Sequence, residues 1–361
     1  MENRRDFLKK TALVLAATSV PLAHFGCSKN ERKLGVALAG LGYYSTDLLA
    51  PALQLTEHCE LRGVVTGSPE KVPLWQKDYG IKDTNVYNYG TINEMANNDE
   101  IDIVYIVTPN ALHKEHAIAA ANAGKHVWCE KPMATSAEDC QAIIDACKKN
   151  NVRLMVGYRM QHEPVTQKII EWSKTKPYGD ITSLEAEAGY YTDGSYRNKW
   201  RLLKELGGGA MFDMGVYSLN GARYATGLEP ISVSAQQKIY RTDVFEADEE
   251  TTFELEFPSG IRAKCKTSFA ENINKLDVKC KNGSYKVAPM QSYTGVRATS
   301  SDGKVLNPFN GNQQAKQMDD DAIAIKKNQP AIVPGEEGLR DIRIVDAIFK
   351  SANNNGKLIK L

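Results

Sequence analysis

Charge of one dominant sign is missing from this chain: 45 lysines and arginines stand against 44 aspartates and glutamates. A phosphate backbone or an anionic membrane is held by a basic field, and without one a nucleic-acid partner is not expected. No CxxC pair occurs among the seven cysteines (Cys27, Cys59, Cys129, Cys140, Cys147, Cys265, Cys280), which argues against a zinc ribbon or a thioredoxin-like site. HExxH is absent too, and His113 and His116, flanking Glu115, have no matching third ligand. No metal is expected, and both histidines are expected at the surface or beside a cofactor. Asp319-Asp320-Asp321 reads as a solvated helix face rather than a cation site. Histidine stops early: His24, His58, His113, His116, His126 and His162 are all six of them, so nothing beyond 162 offers an imidazole base. Repeats, low-complexity tracts and long linkers are also lacking.

What is present is an ordinary globular composition, 42% hydrophobic over 361 residues, enough for two medium cores. The first thirty residues differ. Arg4-Arg5-Asp6-Phe7-Leu8-Lys9-Lys10 precedes the uncharged, mostly apolar run 11–23, which is too short to span a bilayer and reads as an export signal of the twin-arginine type. The plainer alternative is an N-terminal arm. Cys27 is a candidate for lipid modification, although His24-Phe25 departs from the usual residues before such a cysteine. Export permits disulfides, but Cys59 and Cys129 sit in apolar strand patterns and Cys140 and Cys147 on one helical stretch, and these four read as small core residues.

From Lys33 the chain alternates. Strand-like runs at 34–39, 61–65, 101–107, 126–129 and 153–158 are separated by helix-length segments at 44–55, 69–79, 111–123 and 136–150. Such alternation predicts βαβ units around a parallel sheet. Later the grammar changes: strands at 181–191, 231–239, 251–257, 262–269, 276–281 and 284–288, with Pro258-Ser259-Gly260 and Asn282-Gly283 as hairpin turns, predict an open, mostly antiparallel sheet. Helices are expected at 209–225, 313–327 and 335–352. The chain is therefore an α/β protein divided into a signal (1–30), a dinucleotide-binding domain (31–158) and a substrate and oligomerisation domain (159–361) whose last helices are free to pack back on the first. A cleft between the two domains is the expected ligand site, and the open sheet makes a homodimer or homotetramer the expected assembly.

Gly40-Leu41-Gly42-Tyr43-Tyr44-Ser45 follows the first strand and opens the first helix, the setting in which glycines make the turn and let a pyrophosphate approach the helix N-terminus. The third position is Ser45, not glycine. The second strand ends Val65-Thr66-Gly67-Ser68-Pro69-Glu70-Lys71, with no carboxylate at its tip to hold ribose hydroxyls; Ser68 and Lys71 suit a 2′-phosphate, favouring NADP over NAD. Ser68 also has the sequence of a helix cap, and the two roles are compatible.

Thr108-Pro109-Asn110-Ala111-Leu112-His113, Glu130-Lys131-Pro132, Gly157-Tyr158-Arg159, Trp200-Arg201, the stretch from Gly207-Gly208-Gly209 through Asp213 to Tyr217, and Pro334-Gly335-Glu336-Glu337-Gly338 occur in order. Together with Gly42-Tyr43-Tyr44 they resemble the Gfo/Idh/MocA oxidoreductase family, in particular its glucose-fructose oxidoreductase branch. The resemblance implies a Rossmann domain followed by an α/β domain with an open sheet. It implies that Lys131, Asp213 and Tyr217 are catalytic, with Tyr217 at a position where many relatives have histidine, and that Tyr89, Asn110, His113, Arg159, Trp200 and Arg201 reach the cofactor. Pro109, Glu130 and Lys131 join Gly40, Leu41, Gly42, Tyr43, Tyr44, Ser68 and Lys71 as its expected contacts.

Oxidising a sugar hydroxyl needs a hydride acceptor and a base for the proton. A tyrosine with an ordinary pKa of about 10 is a weak base unless a cation favours its phenolate. Lys131 is placed by the resemblance to supply that cation to Tyr217. Asp213 and Tyr217, four apart, share a helix face, for which the plain alternative is a core face carrying Phe212 and Val216. The glycine run 207–209 implies a backbone that approaches cofactor or sugar. The expected activity is thus an exported NADP-dependent oxidoreductase acting on a sugar or polyol, its cofactor carried through export and recycled in place. The alternatives are a glycosidase that uses the same cofactor, or a nucleotide-binding sensor without catalysis.

Overall fold

The computed structural model describes residues 32–194 and 199–361. The expected export signal, with Arg4, Arg5 and Cys27, lies outside the described residues. Six strands, β1 (Leu34–Ala39), β2 (Cys59–Val65), β3 (Val86–Tyr87), β4 (Ile103–Ile106), β5 (His126–Cys129) and β6 (Leu154–Val156), form a parallel sheet in the order β3-β2-β1-β4-β5-β6. Strand side chains alternate between faces, so Ala37 and Ala39 enter one core while Val36 and Leu38 enter another. Both faces are covered, which is why these runs are apolar throughout. Helices α1 (Ala50–Leu53), α2 (Val72–Tyr79), α3 (His113–Asn122) and α4 (Ala137–Lys149) connect the strands. The expected helix at 44–55 begins instead as a wider π turn, Tyr44–Leu49. The short β3 and the 3-10 segment Tyr89–Asn97 have too few apolar residues in period to stand out in the sequence.

The second sheet contains β7 (Ile181–Gly189), β8 (Ser232–Lys238), β9 (Glu250–Glu256), β10 (Arg262–Ser268), β11 (Ile273–Cys280), β12 (Gly283–Val287), β13 (Ala298–Ser300), β14 (Val305–Leu306) and β15 (Ile359–Lys360), ordered β14-β13-β12-β11-β7-β10-β9-β8-β15. All neighbours run antiparallel except β7 and β10. Both expected hairpins form, β9 to β10 and β11 to β12. Helix α5 (Pro164–Thr175), which the sequence reading left out, packs on α6 (Val216–Thr226), and α6 lies on β7. The residues of the other face carry charge in rows, for example Lys275 beside Glu185, Glu187 and Asp277.

The last two helices, α7 (Gln313–Lys326) and α8 (Gly335–Ala352), return to the first sheet. Ala315, Met318, Ala322 and Ala324 of α7 complete the core that contains Val36, Leu38 and Tyr105, while α8 packs on α4. The other core runs without a break from Ala37 under β5 to Val233 and Phe253 of the second sheet. The aspartate run on α7 is not a solvated face. Asp319 accepts the backbone N–H groups of Glu57 and His58, Asp320 bonds His162 and Lys316, and Asp321 is buried. The six described cysteines are free thiols, five of them buried.

Candidate active site

Gly40 follows β1 with φ +103°, and a Cβ there would stand 2.7 Å from the Val107 carbonyl oxygen, so both conformation and space demand glycine. Gly42 differs: no atom lies within 4 Å of the position its Cβ would take, so the backbone faces open space beside the first helical turn. Ser45 is buried and donates its hydroxyl to the Gly40 carbonyl, closing the turn from below. Lys71 donates to the Leu41 carbonyl at 2.8 Å, which sets its ammonium beside the turn. Ser68 does not cap the following helix through its side chain, so its hydroxyl is left for other partners. Tyr89 lies against Gly67 at the end of β2 and stacks on His116, ring centroids 4.6 Å apart.

A cavity of about 760 Å³ opens from Gly42, Tyr43 and Tyr44 toward the second sheet. Of the expected site residues, Asn110, His113, Glu130, Lys131, Arg159, Trp200, Arg201, Asp213 and Tyr217 line it as well. Gly40, Leu41, Ser68, Lys71, Tyr89 and Pro109 do not line it.

Lys131, after β5, donates to the backbone carbonyl of Asp213 at 2.6 Å, and its ammonium lies over the Tyr217 ring, 4.7 Å from the centroid. It therefore meets the face of the tyrosine. The Tyr217 hydroxyl has no hydrogen-bond partner among the described residues. Asp213 is buried; burial pushes its carboxyl up, but Arg201 and Lys131 outweigh that and hold it below the usual carboxylate range. Its Oδ1 accepts from Arg201 Nε at 3.0 Å and its Oδ2 from the Tyr190 hydroxyl at 3.1 Å. Asp213 sits in a π turn (Met211–Gly215) ahead of α6 rather than in the regular helix expected from 209.

Several expected cofactor contacts turn inward instead. The Arg159 guanidinium bonds Gln313 Oε1 and the carbonyls of Gln291 and Ser292, and stacks on Tyr293 at 4.5 Å; it clamps the loop over the cavity rather than reaching out of it. Asn110 donates its amide to the Gly207 carbonyl at 2.8 Å. His113 is not a surface residue: its ring nitrogens face the carbonyls of Thr108 and Pro132, and burial pulls its pKa down to about 4 against those two acceptors. His116 is buried too, bonded to Thr108. Glu130, in the cavity lining, receives the Tyr105 hydroxyl at 2.6 Å, its carboxyl raised by burial.

The triple glycine has a packing reason. A Cβ on Gly208 would meet the Arg201 carbonyl at 2.4 Å, and one on Gly209 would meet Asp248 Oδ1 at 2.1 Å. These glycines let the loop that carries Arg201 dock on the π turn that carries Asp213. Asp248, which accepts the Met211 N–H at 2.9 Å, and Tyr190 and Tyr293 on the cavity wall were not singled out in the sequence. No spacing marks them, because each lies in a connection whose path is set by the sheet it leaves. Among the described residues, no group of three or more His, Cys, Asp or Glu is arranged to hold a metal ion, and no helix is long and apolar enough to cross a membrane.

Comparison with known proteins meets this geometry. Residues 34–158 match the model of an oxidoreductase family with an NAD-binding Rossmann fold, and residues 166–286 match the GFO/IDH/MocA C-terminal domain. The crystal structure of aldose-aldose oxidoreductase from Caulobacter crescentus, complexed with glycerol, is similar with a TM-score of 0.86 at 38% identity, covering 91% of this chain and 100% of that one. A D-xylose 1-dehydrogenase [NADP(+)] of Haloarcula marismortui is 28% identical over 330 residues, 88% of this chain and 90% of the relative. With both of its domains matched and a relative of this similarity aligned over nearly its whole length, the chain belongs to the Gfo/Idh/MocA oxidoreductase family.

Proposed function

We propose that the protein is an exported, NADP-dependent oxidoreductase that interconverts hydroxyl and carbonyl groups of aldoses or related polyols, and that it keeps its nucleotide between half-reactions. The observation that carries this reading is the convergence of Lys131, Asp213 and Tyr217 on one cavity that begins at the glycine turn. The residues present fit a dinucleotide. Gly42 leaves space where a side chain would block a pyrophosphate, and Lys71 and Ser68 stand where a 2′-phosphate on the ribose needs a cation and a hydroxyl. Similarity to an NADP-linked sugar dehydrogenase and to an aldose-aldose oxidoreductase supports both the cofactor and the substrate class.

Bound NADP supplies the hydride acceptor, and in the reverse direction the donor. In its phenolate form the Tyr217 oxygen, without a hydrogen-bond partner among the described residues, takes the proton from the substrate hydroxyl and is left as the neutral phenol. Lys131, its ammonium at the ring, stabilises negative charge as that proton crosses. Asp213 stays ionised and fixes Arg201 at the wall. The twin-arginine segment favours retention of NADP, since folding before export carries the nucleotide into a compartment with little to replace it.

Mass spectrometry of the nucleotide released from purified protein tests the cofactor, and a panel of sugars followed at the nicotinamide absorbance tests the substrate. Tyr217→Phe should lower sugar-dependent nucleotide reduction by about 10²-fold or more while leaving nucleotide bound. Unchanged turnover would remove Tyr217 from the proton transfer, whereas a wild-type protein that binds nucleotide but reduces it with no sugar would be a nucleotide-binding protein without this chemistry.

A further inference from the structure

Lys131 and Asp213 carry opposite charges in a buried wall, yet they do not form a contact ion pair: Lys131 Nζ is 3.8 Å from Asp213 Oδ1 and bonds the Asp213 main-chain carbonyl instead, at 2.6 Å. Both oxygens of the carboxylate are already held by other donors. Arg201 Nε occupies Oδ1 at 3.0 Å, and the Tyr190 hydroxyl occupies Oδ2 at 3.1 Å. Tyr190 follows β7, and its ring packs edge-on against Phe269, centroids 5.1 Å apart, so the hydroxyl is aimed by packing. Burial and the neighbouring Asp213 charge push the Tyr190 phenol up, so it stays protonated and donates.

We infer that Tyr190 is a positioning residue for the proposed reaction, holding the Asp213 carboxylate turned away so that the Lys131 ammonium remains over Tyr217 with N–H groups free for the substrate. The inference rests on the catalytic reading of Lys131 and Tyr217. Its physical basis is competition for one anion. A buried carboxylate oxygen stripped of its donor is costly, and the Lys131 ammonium, 3.8 Å from the other oxygen of the same carboxylate, is a cation within reach to replace it. Without the Tyr190 hydroxyl, the carboxylate rotates and draws Lys131 into a direct ion pair, off the tyrosine ring.

Tyr190→Phe tests this, because it removes one oxygen and keeps the ring against Phe269, leaving the fold in place. Two measurements are made on the full protein. Sugar-dependent nucleotide reduction should lose tenfold or more in kcat with KM for the sugar changed less than threefold. Reductive methylation of Lys131, read by peptide mass spectrometry in the absence of sugar, should slow at least threefold, because an ammonium in a contact ion pair yields its free amine less readily. Wild-type methylation of Lys131 in Tyr190→Phe would overturn the inference. If the wild-type protein reduces no nucleotide with any sugar, the proposed function fails, but the methylation comparison still decides whether Tyr190 positions Lys131.

Discussion

Gly40 and Gly42 stand two residues apart and answer to different forces. Gly40 is required by the fold, through its positive φ and the approach of the Val107 carbonyl, whereas Gly42 has only empty space before it. Substitution should separate the two. Gly40→Ala should lower the melting temperature markedly, since strain and a clash of this kind cost about 1–3 kcal/mol. Gly42→Ala should melt with the wild type and lose about tenfold or more in nucleotide affinity, at about 1.4 kcal/mol per decade. Calorimetry and nucleotide titration on the two variants make the comparison; equal losses of stability would remove the distinction. The same contrast applies to the expected cofactor contacts. Arg159, Asn110 and His113 border the cavity, but the two terminal guanidinium nitrogens of Arg159, the Asn110 amide nitrogen and the His113 ring nitrogens face Gln291, Ser292, Gly207, Thr108 and Pro132, which a residue list does not reveal.

Helix α7 carries a buried polar stripe, Gln313, Gln314, Gln317 and Asp321, where an amphipathic pattern leads one to expect solvent. Gln317 donates to the Tyr105 hydroxyl, which in turn donates to Glu130, the residue before Lys131. Neither carboxylate oxygen of Asp321 has a hydrogen-bond partner among the described residues, and His162 Nε2 lies 4.0 Å from Oδ1. Burial pushes Asp321 up to about 7, with His162 opposing and Asp320 adding to the rise. The sign follows: the folded chain keeps this proton between pH of about 4 and 7 while the unfolded chain has released it, so its contribution to stability declines as pH rises through that window and is flat above it. Asp321→Asn lacks the proton. Its melting temperature relative to wild type should climb from pH 4 to pH 7 and then level off, whereas a difference constant across this range would contradict the burial argument.

At the scale of the molecule, α7 follows every strand of the second sheet but the last, β15, yet completes the core of the first, with Met318 fully buried among Val36 and Leu38. The other core is shared by both sheets. Two domains joined in this way should unfold together, and Met318→Ala, at about 2–5 kcal/mol for a buried large-to-small change, should shift one calorimetric transition as a unit. Two separated transitions, with only the earlier one moved, would show the sheets to be independent.

The alternation of short apolar runs with helix-length segments determined the parallel sheet, and the paired turns at 258–260 and 282–283 determined the hairpins, because period and turn chemistry act within a few residues. The glycine turn and the ordered motifs likewise pointed to a dinucleotide oxidoreductase of this family. Which side chains face the cavity was decided only by tertiary structure. Lys131 and Asp213 are 82 residues apart, and Tyr190 enters from the end of another strand; hydrogen-bond partners at such distances depend on how the sheets pack. The same holds for the glycines at 207–209: Gly207 makes room for Thr135 and Asn110, Gly208 for the Arg201 carbonyl and Gly209 for Asp248.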